Sequence, residues 1–316
     1  MDLIKIFSEI EKIDGEVYER FDTRRRVFQH LAGLGKAVTA AATPALLSTM
    51  FNKAYGQGST ALTADMKAVL NLALQLEYLE FHFYDTALKT AGLIPAANRP
   101  AFEIIRDDER GHINALSAVL AADAFPDPTV PAFDYTAGGK LLPFSSFAMF
   151  LGAAQVFEDL GVRAYKGGAP GLMANKDILT AALNIHSVEA RHSSHMRSLR
   201  RGGFAVPGEM AGGAGNARPK SWVGLREFGG PVPDVTAPVY GPGTNVNFPA
   251  EDNVTQGGVN VQATTTYPTI AGSTFSDAMK QAAASESFDE PLDGDTVKRI
   301  ARSFRSPVGV TKGLFA

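Results

Sequence analysis

Residues 76–84 read LEYLEFHFY, and this stretch decides how the chain is interpreted. Glu77 and Tyr84 lie seven residues apart, close to two turns of an α-helix, so both side chains lie on one helix face. The rest of that face is apolar. A buried carboxylate is very costly when it is unpaired, so Glu77 is expected to have a charge partner elsewhere in the fold.

Two Glu-x-x-His motifs can supply such partners. Glu109 and His112 form the first motif, and Glu189 and His192 form the second. Residues three apart are neighbours on a helix, so each carboxylate and imidazole can converge on one ion. Random placement of the chain's glutamates and histidines gives roughly 0.3 such pairs, so the two pairs found indicate more than chance.

The glutamate and tyrosine of the first stretch also have a counterpart. Glu158 is followed by Tyr165 at the same spacing. The distance from this first glutamate to the glutamate of the next Glu-x-x-His motif is 32 residues in one copy and 31 in the other. The sequence therefore predicts one helical hairpin that occurs twice. Its four carboxylates and two imidazoles can neutralise and coordinate two divalent ions inside a bundle.

Four segments have helical periodicity and are bounded by start and stop signals. Short connections within each pair predict antiparallel hairpins, and residues 123–142 can cross between them. The predicted fold class is an all-α core, a four-helix bundle of two antiparallel hairpins assigned to residues 59–203. The helices are expected at about Thr63–Thr90, Pro100–Ala124, Pro143–Lys166 and Lys176–Arg201.

Composition limits the chemistry that the chain can perform. Its 316 residues are 45% hydrophobic and 20% charged, which is typical of a globular protein. The net charge of -3 argues against a nucleic-acid binder. The chain has no cysteine, so thiolate nucleophiles and Cys-ligated metals are excluded, and a bound metal must be held by histidines and carboxylates.

The C-terminal extension, residues 204–316, differs from the predicted bundle. Residues 201–270 contain 13 glycines and 8 prolines, which predicts loop-rich structure. The extension has no catalytic motif and is expected to cover the bundle or to make subunit contacts. Extended pieces are expected at Val246–Phe248 and Val259–Thr265, and short helices near Thr274–Ala284 and Asp295–Phe304.

The N-terminal residues 1–58 begin with a predicted amphipathic helix. The run Arg24-Arg25-Arg26-Val27-Phe28 and the small residues before Gln57 resemble a twin-arginine export signal. The uncharged run 37–52 is 16 residues long and contains Pro44, which argues against a permanent membrane span. A retained arm that packs on a partner subunit is the alternative, so periplasmic and cytoplasmic locations both stay open.

The repeated residues resemble the di-metal carboxylate set of the ferritin-like superfamily, as in bacterioferritins and rubrerythrins. The resemblance covers about residues 62–200. More closely, the first stretch, FEDLGV at 157–162, VEARH at 188–192 and FDEPL at 288–292 resemble the bacterial ferritin-like, desiccation-associated proteins.

The resemblance implies two divalent cofactor ions, iron or manganese, since carboxylate-rich sites with two imidazoles suit these metals. It also implies a role for each residue of the repeat: Glu77 and Glu158 as terminal ligands, Glu109 and Glu189 as bridging ligands, His112 and His192 as ligands to one metal each, and Tyr84 and Tyr165 as hydrogen-bond donors to the ligands. The bridging pair is the candidate catalytic group, because these carboxylates can adjust their coordination as the metals change charge.

The neighbours of the ligands have more than one interpretation. Glu80 lies one turn after Glu77 and is either an extra ligand or proton relay, or a solvated or capping residue. His82 points away from Glu77 and is expected at the surface or in an interface. Asp108 and Arg110 are expected to be solvated.

Three functions are consistent with this pattern. The first is a di-metal oxidoreductase that reacts with dioxygen or peroxide, by ferrous oxidation or peroxide removal. The second is a non-enzymatic, stress-protective or structural protein in which the ions join the helices. The third is an assembly component whose Gly/Pro-rich extension binds partners. A homo-oligomer is expected in each case.

Overall fold

A computed structural model describes residues 61–202, 218–267 and 274–316. Four long helices form a bundle, in which the first helix packs against the second, the third packs against the fourth, and contacts between the first and third helices join the two pairs. The predicted all-α fold is therefore confirmed, and the predicted N-terminal helix and export signal lie outside the described residues. The four helices are α1 (Ala64–Lys89), α2 (Arg99–Leu120), α3 (Phe147–Gly168) and α4 (Lys176–Arg201).

Hydrogen bonds at both ends of the first hairpin show that its helices are antiparallel. Asn71, near the start of α1, donates to the carbonyl of Asp123 just after α2. Arg99, at the start of α2, donates to the carbonyl of Leu88 near the end of α1. In the second hairpin, Arg200 near the end of α4 donates to the side chain of Gln155 early in α3.

Most helix ends follow the signals in the sequence. Thr63 caps α1 by accepting a hydrogen bond from the amide of Met66, and Gly202 ends α4 in the left-handed conformation that favours glycine. Helix α3 begins at Phe147 and not near Pro143, because the Ser146 side chain accepts from the amide of Met149 and caps the helix there.

The extension contains the two predicted short helices. It also contains further short helices that its proline-rich sequence did not predict. Pro233 stands at the first position of a helix, where a missing amide hydrogen costs nothing, and so this segment is helical despite its composition. The described elements are α5 (Pro233–Tyr240), β1 (Thr255–Gln256), β2 (Val259–Asn260), α6 (Val261–Thr264), α7 (Asp277–Ser285), α8 (Gly294–Ala301) and α9 (Pro307–Thr311).

The two predicted extended pieces are largely wrong. Residues 246–248 form a turn, because the Asn245 carbonyl accepts from the amide of Phe248. Of residues 259–265, only the first two pair as a strand, with β1. The Asn260 side chain then accepts from the amide of Ala263 and starts the short helix α6.

The extension shares the core of the bundle, and the carbonyl groups around Arg163 anchor it there. Arg163 lies on α3 and is 1% exposed in its side chain, where it pairs with Glu251 at 2.8 Å. A buried guanidinium needs several acceptors, and here they come from three separate parts of the extension. The acceptors are the backbone oxygens of Val239, Gly241, Pro249, Glu290 and Pro291.

Phe304 and Phe315 of the extension also contact the helices of the bundle. The ring of Phe304 meets that of Phe157 on α3 edge-on at 4.8 Å between centroids. The amide of Phe315 donates to the Gln75 side chain of α1 at 2.5 Å.

The described helices include no candidate membrane span, since each is too short or too polar to cross a bilayer.

Replacement of Arg163 by Met is expected to lower the free energy of unfolding by about 3–5 kcal/mol, because it leaves the buried Glu251 and five carbonyl groups without their partner. Urea denaturation followed by circular dichroism measures this loss. Arg226→Met is the control, since Arg226 is 56% exposed in its ion pair with Asp252 and should contribute about 0–1 kcal/mol. Equal losses for both variants would contradict the anchoring role.

Candidate metal centre

The four helices bring six side chains of the sequence repeat together in the interior of the bundle. Helices α1 and α3 each contribute one glutamate, and α2 and α4 each contribute a glutamate and a histidine. All six residues are at most 5% exposed. They are Glu77, Glu109, His112, Glu158, Glu189 and His192.

The first group of candidate ligands surrounds His112. Its Nδ1 atom lies 3.0 Å from Oε2 of Glu77, 3.0 Å from Oε2 of Glu109 and 3.1 Å from Oε1 of Glu189. One ligand atom from each of these four residues lies within 4.8 Å of the others. Three carboxylates and one imidazole nitrogen therefore converge on one point.

The second group surrounds His192 and contains the same two central carboxylates. Nδ1 of His192 lies 2.9 Å from Oε1 of Glu109 and 3.4 Å from Oε2 of Glu158. Together with Glu189 these residues again place their ligand atoms within 4.8 Å of one another. Glu109 and Glu189 thus belong to both groups, and Glu109 turns one oxygen toward each histidine.

Several of these atoms lack hydrogen bonds although they are buried. Among the residues that the structure describes, no hydrogen-bond partner is found for Oε1 of Glu109, Oε2 of Glu158, both oxygens of Glu189 and Nδ1 of His192. Their short distances join atoms whose angles do not suit hydrogen bonds, as expected for ligand atoms that point at a common centre. Four carboxylates also carry the charge that balances two divalent cations, so the donor set fits a pair of metal ions.

The two tyrosines of the repeat reach across the bundle and hold the outer carboxylates. Tyr84 on α1 donates a hydrogen bond to Oε1 of Glu158 on α3, and Tyr165 on α3 donates to Oε1 of Glu77 on α1. Each tyrosine therefore binds the glutamate of the other hairpin. This leaves Oε2 of each glutamate directed at its histidine.

Glu80 lies inside the centre and is neither solvated nor a capping residue. It is 2% exposed, and its Oε1 atom and Oε2 of Glu189 both face Gly161. A Cβ atom on Gly161 would sit 3.3 Å from the Glu80 oxygen and 3.2 Å from the Glu189 oxygen. Glycine at position 161 therefore makes room for two adjacent carboxyl groups on the inner face of α3.

Asp108 is a further residue of the centre that the sequence did not reveal. Its Oδ2 atom lies 3.3 Å from Nε2 of His192, so it can fix the ring with Nδ1 directed inward. Asp108 is 12% exposed in its side chain, whereas a solvated position was predicted. Its place in a run of three acidic residues concealed this role.

His82 is buried, whereas a position at the surface or in an interface was predicted. Its Nε2 atom pairs with Asp127 of the crossover at 2.7 Å. Arg110 is exposed as predicted, and its guanidinium lies over the ring of Phe81 at 3.6 Å. Neither residue reaches the ligand groups.

Burial and mutual repulsion shift the titration of the centre. Desolvation raises the pKa of Glu77 to about 7, against the attraction of His112. Burial and the neighbouring carboxylates raise the pKa of Glu80 well above its usual range. For His112, burial disfavours the charged ring, but Glu77 and the other carboxylates outweigh it and raise the pKa well above 6.5. The metal-free cluster therefore retains protons near neutral pH.

The bundle matches a known family. Residues 64–201 match the family model described as a ferritin-like domain, and this range covers all four helices from the start of α1 to the end of α4. The match supports the resemblance of these residues to the ferritin-like superfamily. Searches of the curated proteins and of the solved structures each gave no match.

The metal-free protein is expected to lose stability as the pH rises. Because folding raises the pKa of Glu77 from 4.5 to about 7, its neutral carboxyl favours the folded state fully below pH 4.5, and this contribution disappears as the pH passes 7. The raised pKa values of His112 and His192 act in the same direction. The contribution of Glu77 is about 3 kcal/mol.

Urea denaturation in the presence of a chelator, from pH 4.5 to pH 8, tests this expectation. Glu77→Gln cannot ionise, so its stability should fall less steeply with pH than that of the wild type. Glu103→Gln is the control, because Glu103 is an exposed carboxylate on α2 that pairs with Arg99. Parallel curves for the wild type and Glu77→Gln would show that the centre does not retain these protons.

Proposed function

We propose that the bundle holds two divalent metal ions, iron or manganese, and reacts with dioxygen or peroxide, by ferrous oxidation or peroxide removal. The observation that carries this proposal is the overlap of two ligand groups, which share Glu109 and Glu189 and each have their own histidine and outer glutamate. Carboxylate oxygens with imidazole nitrogens suit iron and manganese, and the absence of cysteine excludes thiolate ligands.

The residues of the chain divide the work of such a centre. Bound iron or manganese would supply the electrons that dioxygen or peroxide accepts, or would take part in peroxide disproportionation. Glu109 and Glu189 would hold both ions, and we assign them the catalytic role. Tyr84 and Tyr165 would keep the outer glutamates in place through their hydrogen bonds.

Glu80 would supply or accept a proton beside the shared ligands. Its carboxyl group is buried and faces Gly161 together with Oε2 of Glu189, and burial with the neighbouring carboxylates raises its pKa, which favours the protonated form. Reduction of dioxygen or peroxide to water consumes protons. A carboxylic acid at this position can deliver one without exposing the interior of the bundle to bulk water.

A non-enzymatic role is the second candidate, and the placement of the ligands favours it as well. Each of the four helices contributes at least one candidate ligand, so two ions would join the helices at one level of the bundle. Without them the carboxylates repel one another. In this case the metals would stabilise a stress-protective or structural protein that has no turnover.

Anaerobic loading with Fe(II) or Mn(II), followed by desalting and elemental analysis, should give about two ions per wild-type chain. Glu189→Ala should hold about one ion or fewer, because it removes a ligand common to both groups. Glu103→Ala, an exposed substitution on α2, should load like the wild type. Fewer than about one ion per wild-type chain would rule out the di-metal centre.

Stopped-flow measurement of dioxygen or peroxide consumption separates the two candidate functions. If the centre is an enzyme, Tyr84→Phe and Tyr165→Phe should each lower the rate by about 10- to 100-fold, because the outer glutamates lose their support. Tyr78→Phe is the matched control, since its hydroxyl contacts the carbonyl of Phe125 outside the centre. A wild-type chain with two ions and no turnover would favour the structural role.

A further inference from the structure

An apolar cavity of about 240 Å³, partly open to the surface, lies at one end of the bundle. Helices α1, α3 and α4 form most of its wall, and Gly294 of the extension closes one side. Its lining residues are Gly, Ala, Val and Leu apart from Tyr165. The hydroxyl group of Tyr165 donates to Glu77, so this side chain belongs both to the cavity wall and to the candidate metal centre.

The cavity lies along the same helix faces as the ligands. On α1, Leu70 of the cavity precedes Glu77 by seven residues. The same spacing of seven separates Tyr165 from the glutamate of α3, and Ala182 from the glutamate of α4. Seven residues are two helical turns, or about 10 Å along the axis. The cavity is therefore about two turns from the metal centre, at the end where Tyr165 lies, which we call the open end.

The sequence repeat allows the open end to be compared with the opposite one, the filled end at Tyr84. Residues of α1 correspond to residues 81 positions later on α3, as Glu77 does to Glu158, and residues of α2 correspond to residues 80 positions later on α4. Three small cavity residues correspond to phenylalanines. The pairs are Val69 with Phe150, Ala164 with Phe83, and Ala182 with Phe102.

The three phenylalanines pack against one another at the filled end. Phe83, Phe102 and Phe150 are all completely buried. The ring of Phe150 lies 5.2 Å from that of Phe83 and 5.0 Å from that of Phe102, between centroids. Tyr84 contacts the same cluster, with its ring 6.2 Å from that of Phe102. The corresponding tyrosine at the open end faces a cavity instead.

Close packing explains the glycines of the cavity wall but not its alanines. A Cβ atom on Gly168 would lie 2.8 Å from Cγ1 of Val69, so this glycine is needed for the approach of α3 to α1. Ala164 and Ala182 line the cavity, where larger apolar side chains fit at the corresponding positions of the filled end. Apolar volume left unfilled lowers stability, and the two alanines enlarge this volume beside the centre.

We propose that the open end is a binding site for a small, uncharged, apolar molecule, of a size between dioxygen and benzene. An enclosed apolar cavity of about 150 Å³ binds xenon or benzene, and this cavity has room for the same molecules and is partly open to the surface, which gives them a route of entry. Its walls offer a ligand no charge, and the Tyr165 hydroxyl is engaged with Glu77. The occupant is held two helical turns from the candidate metal ions, next to the side chain that supports one of their ligands.

The role of this molecule as a reactant rests on the proposed di-metal function, but its binding does not. Dioxygen and a small apolar organic substrate share the required chemistry. Binding can be measured on the full chain without metal, so the cavity proposal and the di-metal proposal can fail separately.

Two probes, xenon and benzene, test the proposal on the metal-free protein. Xenon binding is followed by the ¹²⁹Xe chemical shift, and benzene binding by calorimetry and by the rise in the unfolding temperature. The wild type should bind xenon saturably. Ala182→Phe introduces at the open end the side chain of the corresponding Phe102 of the filled end. This variant should bind xenon about tenfold more weakly than the wild type, or not at all. Leu183→Phe adds the same ring at the neighbouring exposed position and should bind like the wild type.

The outcomes are distinct. The proposal is supported if the wild type and Leu183→Phe bind saturably and Ala182→Phe does not. Binding of xenon alone would indicate a site for a gas, and binding of both xenon and benzene would indicate a site for a small organic ligand. No saturable binding to the wild type, or equal binding to Ala182→Phe, overturns it. If Ala182→Phe does not fold, Val69→Phe, which introduces the side chain of the corresponding Phe150, carries the same expectation. Unchanged metal loading of the variant shows that the centre itself is intact.

Discussion

The structure depends on one electrostatic constraint, which is the presence of five carboxyl groups and only two imidazoles in the interior of a helical bundle. If all carboxyl groups were ionised and both rings protonated, the cluster would carry a net charge of -3 where water cannot solvate it. Protons or cations must make up the difference. Every helix of the bundle contributes to the cluster. A change in pH or in metal concentration therefore affects all four helices through this one site.

The surrounding contacts make sense as responses to this constraint. The tyrosines bind the glutamates of the opposite hairpin, so the two hairpins are tied to each other by the same bonds that orient the carboxylates. Gly161 leaves the space that a fifth carboxyl group occupies. Helix α3 carries both Glu158 and Arg163. Glu158 faces the cluster, and Arg163 binds the extension, so α3 is supported on both faces.

Much of this arrangement follows from residue spacing. Positions three and seven apart share a helix face, so the ligand pattern and the four helices could be predicted from one sequence. The predicted residues meet because spacing fixes direction along each helix. The burial of Asp108 and Glu80 could not be predicted, because it depends on which neighbouring helix covers them. The acceptors of Arg163 are backbone carbonyls, which every residue has, so no sequence signal marks them.

The duplicated hairpin has a consequence for how such a domain can change. If two identical hairpins associated as a symmetric dimer, each substitution would appear at both ends of the bundle, and an alanine that opened one end would open the other. Two copies within one chain are free of this restriction. One end can keep its three phenylalanines, which stabilise the fold. The other end can be less well packed, and its residues can be substituted to suit the molecule that binds there.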